Sequence, residues 1–480
     1  MKRFVIEQSE DEFYTTHAGL AFIGPALNRF TTLASALRAF DTPADTYSGS
    51  DVVFSFCALL AEGKNDFVAI EQHRKDSHFK ESLGMKAVPS ESTLRQRMDD
   101  LALKYLAPVS WASVEFLEKV KAPVGTLATG HAPLDIDGFV MDNSGSSKEN
   151  VSCTYQKVDG YLALPAYLGT EGWLVNQHLL PGSQHPQKTF IPFIQETLGR
   201  VRQFYKKKIL LRQDSAHDAI DNQYELARHD KVDWIIKWNP RKQDRSGWAE
   251  RVFAEGTVST PRPGKRVGIM SVKEKHTYTD QDGIERKITL RLVVRVTERK
   301  TDKKGQQLMF PDIELEGWWT SLKVTDQEVI NLYKGHATCE QYHAEIKTDM
   351  DLERLPSGKF ATNQLVMACG ALVYNILRFM GQTALVNAQG IIRHEAKRRR
   401  IKTVMQELIY FAGRLISSGR RLRLRFSCHL HAHAQAFAAL CVFRSNPATV
   451  PSGKRPPFRW ESGRHSVLKA ATIPVNPASC

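Results

Sequence analysis

Tyr333-Lys-Gly-His336-Ala-Thr-Cys-Glu340-Gln-Tyr-His-Ala-Glu-Ile-Lys347 is the stretch on which the reading of the fold turns. At about 100° per residue along a helix, Tyr333, His336, Glu340 and Lys347 fall within roughly 60° of one another. One narrow stripe then carries a phenol, an imidazole, a carboxylate and an ammonium, where a core-facing stripe would be apolar. Outward from it, two acids stand behind short apolar runs: Asp137 ends Leu134-Asp-Ile-Asp137, and Asp214 ends Ile209-Leu-Leu-Arg-Gln-Asp214. Acids at the carboxyl ends of strands lie where α/β sheets place their ligands. Carboxylates converging from separate elements can hold two divalent ions, which clamp the attacking and leaving oxygens of a phosphodiester. The chemistry suggested is cleavage and joining of DNA strands.

Each acid has a rival. Asp135 and Asp137 are two apart on a predicted strand and face the same way, so either can be the first ligand. Asp135 is then a second metal ligand or a hydrogen-bonded neighbour. Asp218 competes with Asp214 but sits where a helix cap is expected. Glu345, Asp349 and Glu353 project on other sides of the helix from Glu340.

The bulk properties point to a polyanion. The 480 residues suggest about three domains at roughly 150 residues each, and 42% hydrophobic residues permit filled cores. A net charge of +14 and a pI near 9.3 fit a nucleic-acid partner. No apolar run is expected to reach the roughly 20 residues of a membrane span, and Met1-Lys-Arg-Phe lacks a signal-peptide core. A cytoplasmic, nucleoid-associated protein with no membrane partner is the expectation. Seven cysteines with no close pairing argue against a disulfide framework. Cys428-His429-Leu-His431-Ala-His433 is the tightest metal-like cluster, but as a strand it splits its cysteine from its histidines. There is no GxxxxGK[ST], HExxH or GxSxG, so the nucleotide-loop, zinc-protease and serine-esterase classes lack their motifs.

Along the chain, residues 1–120 show helical periodicity. Pro89-Ser90-Glu91-Ser92 opens a helix that carries Arg95 and Arg97, either toward a DNA groove or simply into solvent. Strands dominate from residue 121: Ala132–Met141, Val151–Lys157, Tyr161–Leu168 and Trp173–Leu180. Helices over 187–204 and 219–229 alternate with strands at Ile209 and Trp234. Residues 245–324 are β-rich, with Asp280-Gln-Asp-Gly283 as a turn, and Trp238, Trp248, Trp318 and Trp319 lie in or beside them. Helix resumes over 325–385. The region 386–480 is basic and read as helical, with runs at Lys397-Arg398-Arg399-Arg400 and at Arg420-Arg421 expected to meet DNA phosphates. Its Pro-, Ser- and Gly-rich end is expected to be poorly ordered.

The stretch from Tyr333 to Lys347 resembles the Tyr-x2-Arg-x3-Glu-x6-Lys signature of bacterial insertion-sequence DDE transposases. Leu134-Asp-Ile-Asp137-Gly resembles their first-aspartate strand and Ile209-Leu-Leu-Arg-Gln-Asp214-Ser their second. His336 stands where that family usually has arginine. The resemblance, which covers most of residues 125–380, implies an α/β ribonuclease-H-like catalytic domain in two parts, 121–244 and 325–385, interrupted by a β-rich insertion. A helical N-terminal DNA-binding domain and a basic helical C-terminal region flank it. It further implies two Mg²⁺ ions, with Mn²⁺ as a substitute, on Asp137, Asp214 and Glu340, and DNA contacts from Tyr333, His336 and Lys347. The implied partners are double-stranded DNA, both element ends and target, in a homodimeric complex. Cut-and-paste movement is implied as well, with a hairpin intermediate left open. Two other readings remain: a transposase-derived DNA-binding protein without activity, and a related nuclease that cuts without joining.

Overall fold

The computed structural model describes residues 13–279, 283–302, 304–386, 398–418, 421–427, 430 and 433. They form two compact units. The first comprises residues up to Ala122, the short stretch Ser146–Glu149 and everything from Ala344 onward; the second is Pro123–Gly145 with Asn150–His343.

Helices make up most of the first unit. Ser90 accepts a hydrogen bond from the Thr93 amide and starts the long helix Glu91–Lys119, as its hydroxyl-rich opening predicts. Phe360–Met380 packs along it, with Phe379 edge-on to Phe116 and the Asn375 amide donating to Ser113 Oγ at 2.9 Å. By length and composition this helix, continued through Val386, passes for a membrane span, contrary to the expectation of none, and 83% of its most apolar stretch is buried. Its buried polar groups, Asn375 and Arg378, have protein partners, which identifies it as a core helix.

The C-terminal region departs from the helical expectation. Gly413–Ser418 and Arg421–Arg425 are antiparallel strands that join Phe13–Thr15 in a three-stranded sheet. The Arg-Leu-Arg-Leu-Arg alternation of residues 421–425 has the two-residue period of a strand, and the helical reading weighed only its charge. Lys397, Arg420, most of the Cys428–His433 cluster, Asp280 to Asp282 and the final segment lie outside the described residues.

The basic run at 398–400 is tied down internally. Arg398 donates to Glu345 at 2.7 Å, beside Arg378, which pairs with the same carboxylate. Arg400 grips Asp349 through Nε and Nη2, and the Arg399 carbonyl accepts from Arg378 at 2.8 Å. Arg398 and Arg400 therefore have intramolecular partners. Arg95 and Arg97 are likewise paired, with Glu91 and with Asp45 at 2.6 Å.

The second unit is built on one mixed sheet of eleven strands. Its central strands, Ala132–Ile136, Ile209–Gln213 and Val232–Lys237, run parallel, with Asp135 opposite Arg212 and Ile136 opposite Gln213. On one side Asp159–Leu168 pairs antiparallel with Ala132–Ile136 and with Phe139–Asp142 and Trp173–Pro181. On the other, Gln307–Thr320, Glu285–Thr301, Lys265–Thr279 and Thr257–Arg262 extend the same sheet antiparallel. The β-rich segment is thus continuous with the central sheet, and it opens with a helix, Arg245–Glu255, that was not expected. Trp238, Trp318 and Trp319 are buried in this extension, and Trp248 packs edge-on to Trp238.

Arg212 ties the unit's centre together. Its buried guanidinium donates Nε and Nη2 to the two oxygens of Asp135, both at 2.6 Å, and Nη1 to the Leu332 carbonyl at 2.7 Å. Two adjacent strands and the helix Asp326–Lys334 are thereby fastened at one point. Gly335 completes the fit, because a Cβ there would stand 2.5 Å from Nη1.

Two outcomes follow for stability. Arg212→Met should cost about 3–5 kcal/mol in urea unfolding, since it strands a buried carboxylate, whereas Asp135→Leu with Arg212→Met should recover much of that loss. Arg398→Met should cost about 1–3 kcal/mol through Glu345, and the same melt should shift equally with and without DNA.

Candidate active site

Asp137 and Asp214 come together through strand register. Ile136 and Gln213 are paired in adjacent parallel strands, so the two aspartates leave neighbouring strands side by side, in chains about 4.8 Å apart. Asp214 also accepts from the Ala216 amide at 3.1 Å, which turns the chain into a short 3-10 helix.

Glu340 arrives on a helical path that changes its winding. The α-helix Asp326–Lys334 tightens to a 3-10 turn at Gly335–Thr338, returns to α over Cys339–Ala344 and widens to a π turn at Glu345–Asp349. The single stripe expected from a uniform helix is therefore broken, and Lys347 falls in the first unit, where it pairs with Glu353 at 2.8 Å. Within the second unit the inner face of Cys339–Ala344 is anchored firmly. The Tyr342 ring lies against Gly172, at φ +73°, where any side chain would collide with it, and it packs on Tyr167 at 4.8 Å. His343 packs at 4.6 Å on Phe139, two residues beyond Asp137. Glu340 is left on the exposed face.

The three carboxylates share one electrostatic field. Burial, followed by the negative charges of Asp214 and Glu340, pushes the Asp137 carboxyl up to about 6 against the opposing effect of His336. Burial also raises Asp214, opposed by the Ala216 amide and by His336 and His185. Tyr333, within 5.5 Å of the His336 ring, is held strongly in its phenol form by burial and by Asp214, Asp137 and Asp135. The raised Asp137 and Asp214 carboxyls, beside Glu340, make an oxygen-only donor set of the kind a hard divalent cation takes. Asp137, Asp214 and Glu340 therefore fit a Mg²⁺- or Mn²⁺-type ion.

Asp135 takes the hydrogen-bonded alternative. Arg212 occupies both its oxygens and His336 Nδ1 lies 3.0 Å from Oδ1. Asp135, His336 and Cys339 do bring ligand atoms within 4.8 Å of one another. An ion there would have to displace a bidentate guanidinium, and burial with the nearby acids pushes the Cys339 thiol well above its ordinary range, so it supplies no thiolate. Asp218 does not cap the next helix, which starts after Ala219; it accepts from the Asn239 amide at 2.8 Å.

Some neighbours carry no mark in the motif. Arg212, embedded in an apolar strand, was visible as a charge out of place. His185 and the exposed Tyr155, on a tight turn closed by Thr154 and Val158, were not. Although the side chain reaches solvent, partial desolvation of the Tyr155 phenol and then the charges of Asp137, Asp214 and Glu340 make it harder to ionise, so it stands in the field of all three acids.

No curated protein matches the chain. Among solved structures, a cryo-EM structure of a piggyBac transposase synaptic complex with hairpin DNA is similar, at 12% identity and a TM-score of 0.40, over 82% of this chain and 80% of that one. The family described as transposase DDE domain group 1 matches residues 15–444. With so much of its length inside that family, the chain belongs to transposase DDE domain group 1 and is a DNA transposase.

Proposed function

We propose that the protein acts by two-metal phosphoryl transfer at Asp137, Asp214 and Glu340, cutting the ends of an insertion sequence and joining the freed 3′-hydroxyls to target DNA. The observation that carries this reading is the side-by-side exit of Asp137 and Asp214 from adjacent parallel strands, with Glu340 in their shared field. The strand and helix order around them supports a ribonuclease-H-like layer, and the spacing from Tyr333 to Glu340 supports membership of the insertion-sequence class with a histidine in the arginine position. Bound divalent ions would supply activation of the attacking oxygen and stabilisation of the leaving one. The chain's own groups do the rest. Asp137 and Asp214 define one edge of the site through strand register, and Glu340 closes it from a helix fixed by Tyr342 and His343. Tyr333, kept as a phenol, can donate to a phosphate oxygen without adding charge. No side chain needs to form a covalent intermediate. The exposed basic groups of a chain of net charge +14 supply attraction for double-stranded DNA.

Asp214→Asn or Glu340→Gln should lower strand cleavage by at least about 10³-fold while DNA affinity holds or rises, because less negative charge faces the phosphates. Parallel loss of cleavage and DNA binding in a well-folded variant would contradict the assignment.

A second outcome concerns the metal-free protein. Asp137 has a folded-state value near 6, above that of an unfolded aspartate, so the stability tied to its protonated form is complete below about pH 4 and lost as pH rises through 6. In chelator at pH 8, Asp137→Asn should therefore be more stable than wild type by about 1–3 kcal/mol. The difference should vanish near pH 4, as read from urea midpoints.

A further inference from the structure

The β-rich extension carries a feature that its ladder does not require. Near the start of Gln307–Thr320, Thr301 pairs with Gln307 and Arg299 with Asp312, so Lys300 alone faces the four residues from Leu308 to Pro311. A bulge usually adds one residue to a strand, and this one is larger. It throws Met309 and Phe310 into solvent, 91% and 77% exposed, with Leu308 beside them. Pro311, which cannot donate to a ladder, suits such a bulge.

The bulge is braced on both sides. Asp302 Oδ1 accepts from the Lys304 and Gln306 amides, each at 2.8 Å, and closes the turn before it. Arg262 donates to the Thr301 hydroxyl at 2.9 Å and to the Thr301 carbonyl at 3.1 Å. Arg299 donates to Asp312 and Glu314 just beyond the bulge. Two large apolar side chains are thus presented to water from a fixed backbone.

Strand register gives its position. Ile136, Gln213 and Ile236 stand level in the three parallel strands, so Asp137, Asp214 and Lys237 follow at the next level. Trp318 pairs antiparallel with Lys237. Residues before Trp318 therefore run on past the sheet edge from which the two aspartates leave. From Trp318 back to Phe310 and Met309 is about 25–30 Å at roughly 3.3 Å per residue, just under one turn of a DNA duplex.

Charge and area select the partner. Residues 262–266 and 298–314 carry seven cationic side chains against four acids. Of those acids, Glu298 is held by Arg266, and Asp312 and Glu314 by Arg299. Three apolar side chains fall far short of the roughly 800 Å² that each partner gives to a stable protein pair. Phe, Met, Leu and Pro are the residues that wedge between base steps and kink a duplex.

We propose that Met309 and Phe310 form an apolar wedge that enters a base step of the duplex being cut, just under one helical turn from the cleaved phosphate, and bends it there. The inference rests on the reading of Asp137, Asp214 and Glu340 as the cleavage site. The wedge reads no base edge, so its place on the DNA is set by distance from the acids and by how easily the step unstacks.

The test uses the full chain bound in chelator to the DNA that flanks its own gene, with Mg²⁺ added afterwards to map the cut. Bending is read by energy transfer between the duplex ends, and unstacking by permanganate attack on thymines. Wild type should bend the duplex, expose thymines about seven to nine base pairs from the cut at 3.4 Å per pair, and bind at least about 10-fold tighter when that step is mismatched. Met309→Ser with Phe310→Ser should lose all three signals at an unchanged urea midpoint, since both side chains are exposed, while Phe310→Leu keeps them. A straight, permanganate-silent duplex in wild type would overturn the wedge, as would signals that persist in the double variant or arise only in an added target duplex. Loss of self-association in the double variant with bending intact would give the bulge to a second copy instead. Asp214→Asn separates the two levels: it should bend DNA without cutting it, and a variant that still cuts would sink the three-acid reading while leaving the wedge in place.

Discussion

A guanidinium buried between two strands and a helix is the constraint on which the catalytic unit depends. Arg212 cannot lose its proton and cannot be left unpaired in a low-dielectric interior, so the chain must bring Asp135 and the Leu332 carbonyl to it. Meeting that demand aligns the strand of Asp137 with the strand of Asp214 and sets the start of the glutamate helix against both. The interaction adds little net stability if measured against a well-packed apolar alternative. It does limit the alternatives, because a one-residue slip in either strand would turn the arginine away from its carboxylate.

The proposed active site is organised on the opposite principle. Burial, then the charges of Asp214 and Glu340, raise the cost of ionising Asp137, and burial raises that of Asp214. The surrounding anchors are packed rings: Tyr342 against Gly172 and Tyr167, and His343 against Phe139. Neighbouring contacts hold in place a repulsion that the acids alone would relax. A site of this kind is selective by charge before it is selective by shape, and a small dication is the natural counterpart.

Much of this was legible from pattern. Apolar strands ending in acids, the Ser90 cap and the β-rich stretch before the glutamate helix all follow from local chemistry that operates over a few residues. What escaped depends on partners distant in sequence. Asp135 is held by Arg212, some way along the chain, and Arg398 and Arg400 of the basic run pair with Glu345 and Asp349. The change of winding between Lys334 and Asp349 escaped for another reason. Periodicity assumes a constant rotation per residue, and a 3-10 turn followed by a π turn violates that assumption twice. The strands at 413–425 were overlooked because charge was read there in place of alternation.

The threading of the chain through its two units carries a consequence for synthesis. The long helix Glu91–Lys119 finds its main packing partner in Phe360–Met380, and the whole of the second unit lies between them in sequence. At about 5–20 residues per second, the roughly 240 residues from Lys119 to Phe360 take some 10–50 s to emerge from a ribosome. Through that interval Val109, Phe116 and Leu117, all buried in the finished protein, lack the cover that Phe360–Met380 gives the long helix. The second unit, contiguous but for one short excursion, can fold while the first waits. The first unit therefore cannot complete its packing until Phe360–Met380 has emerged, by which time the whole of the second unit has been made.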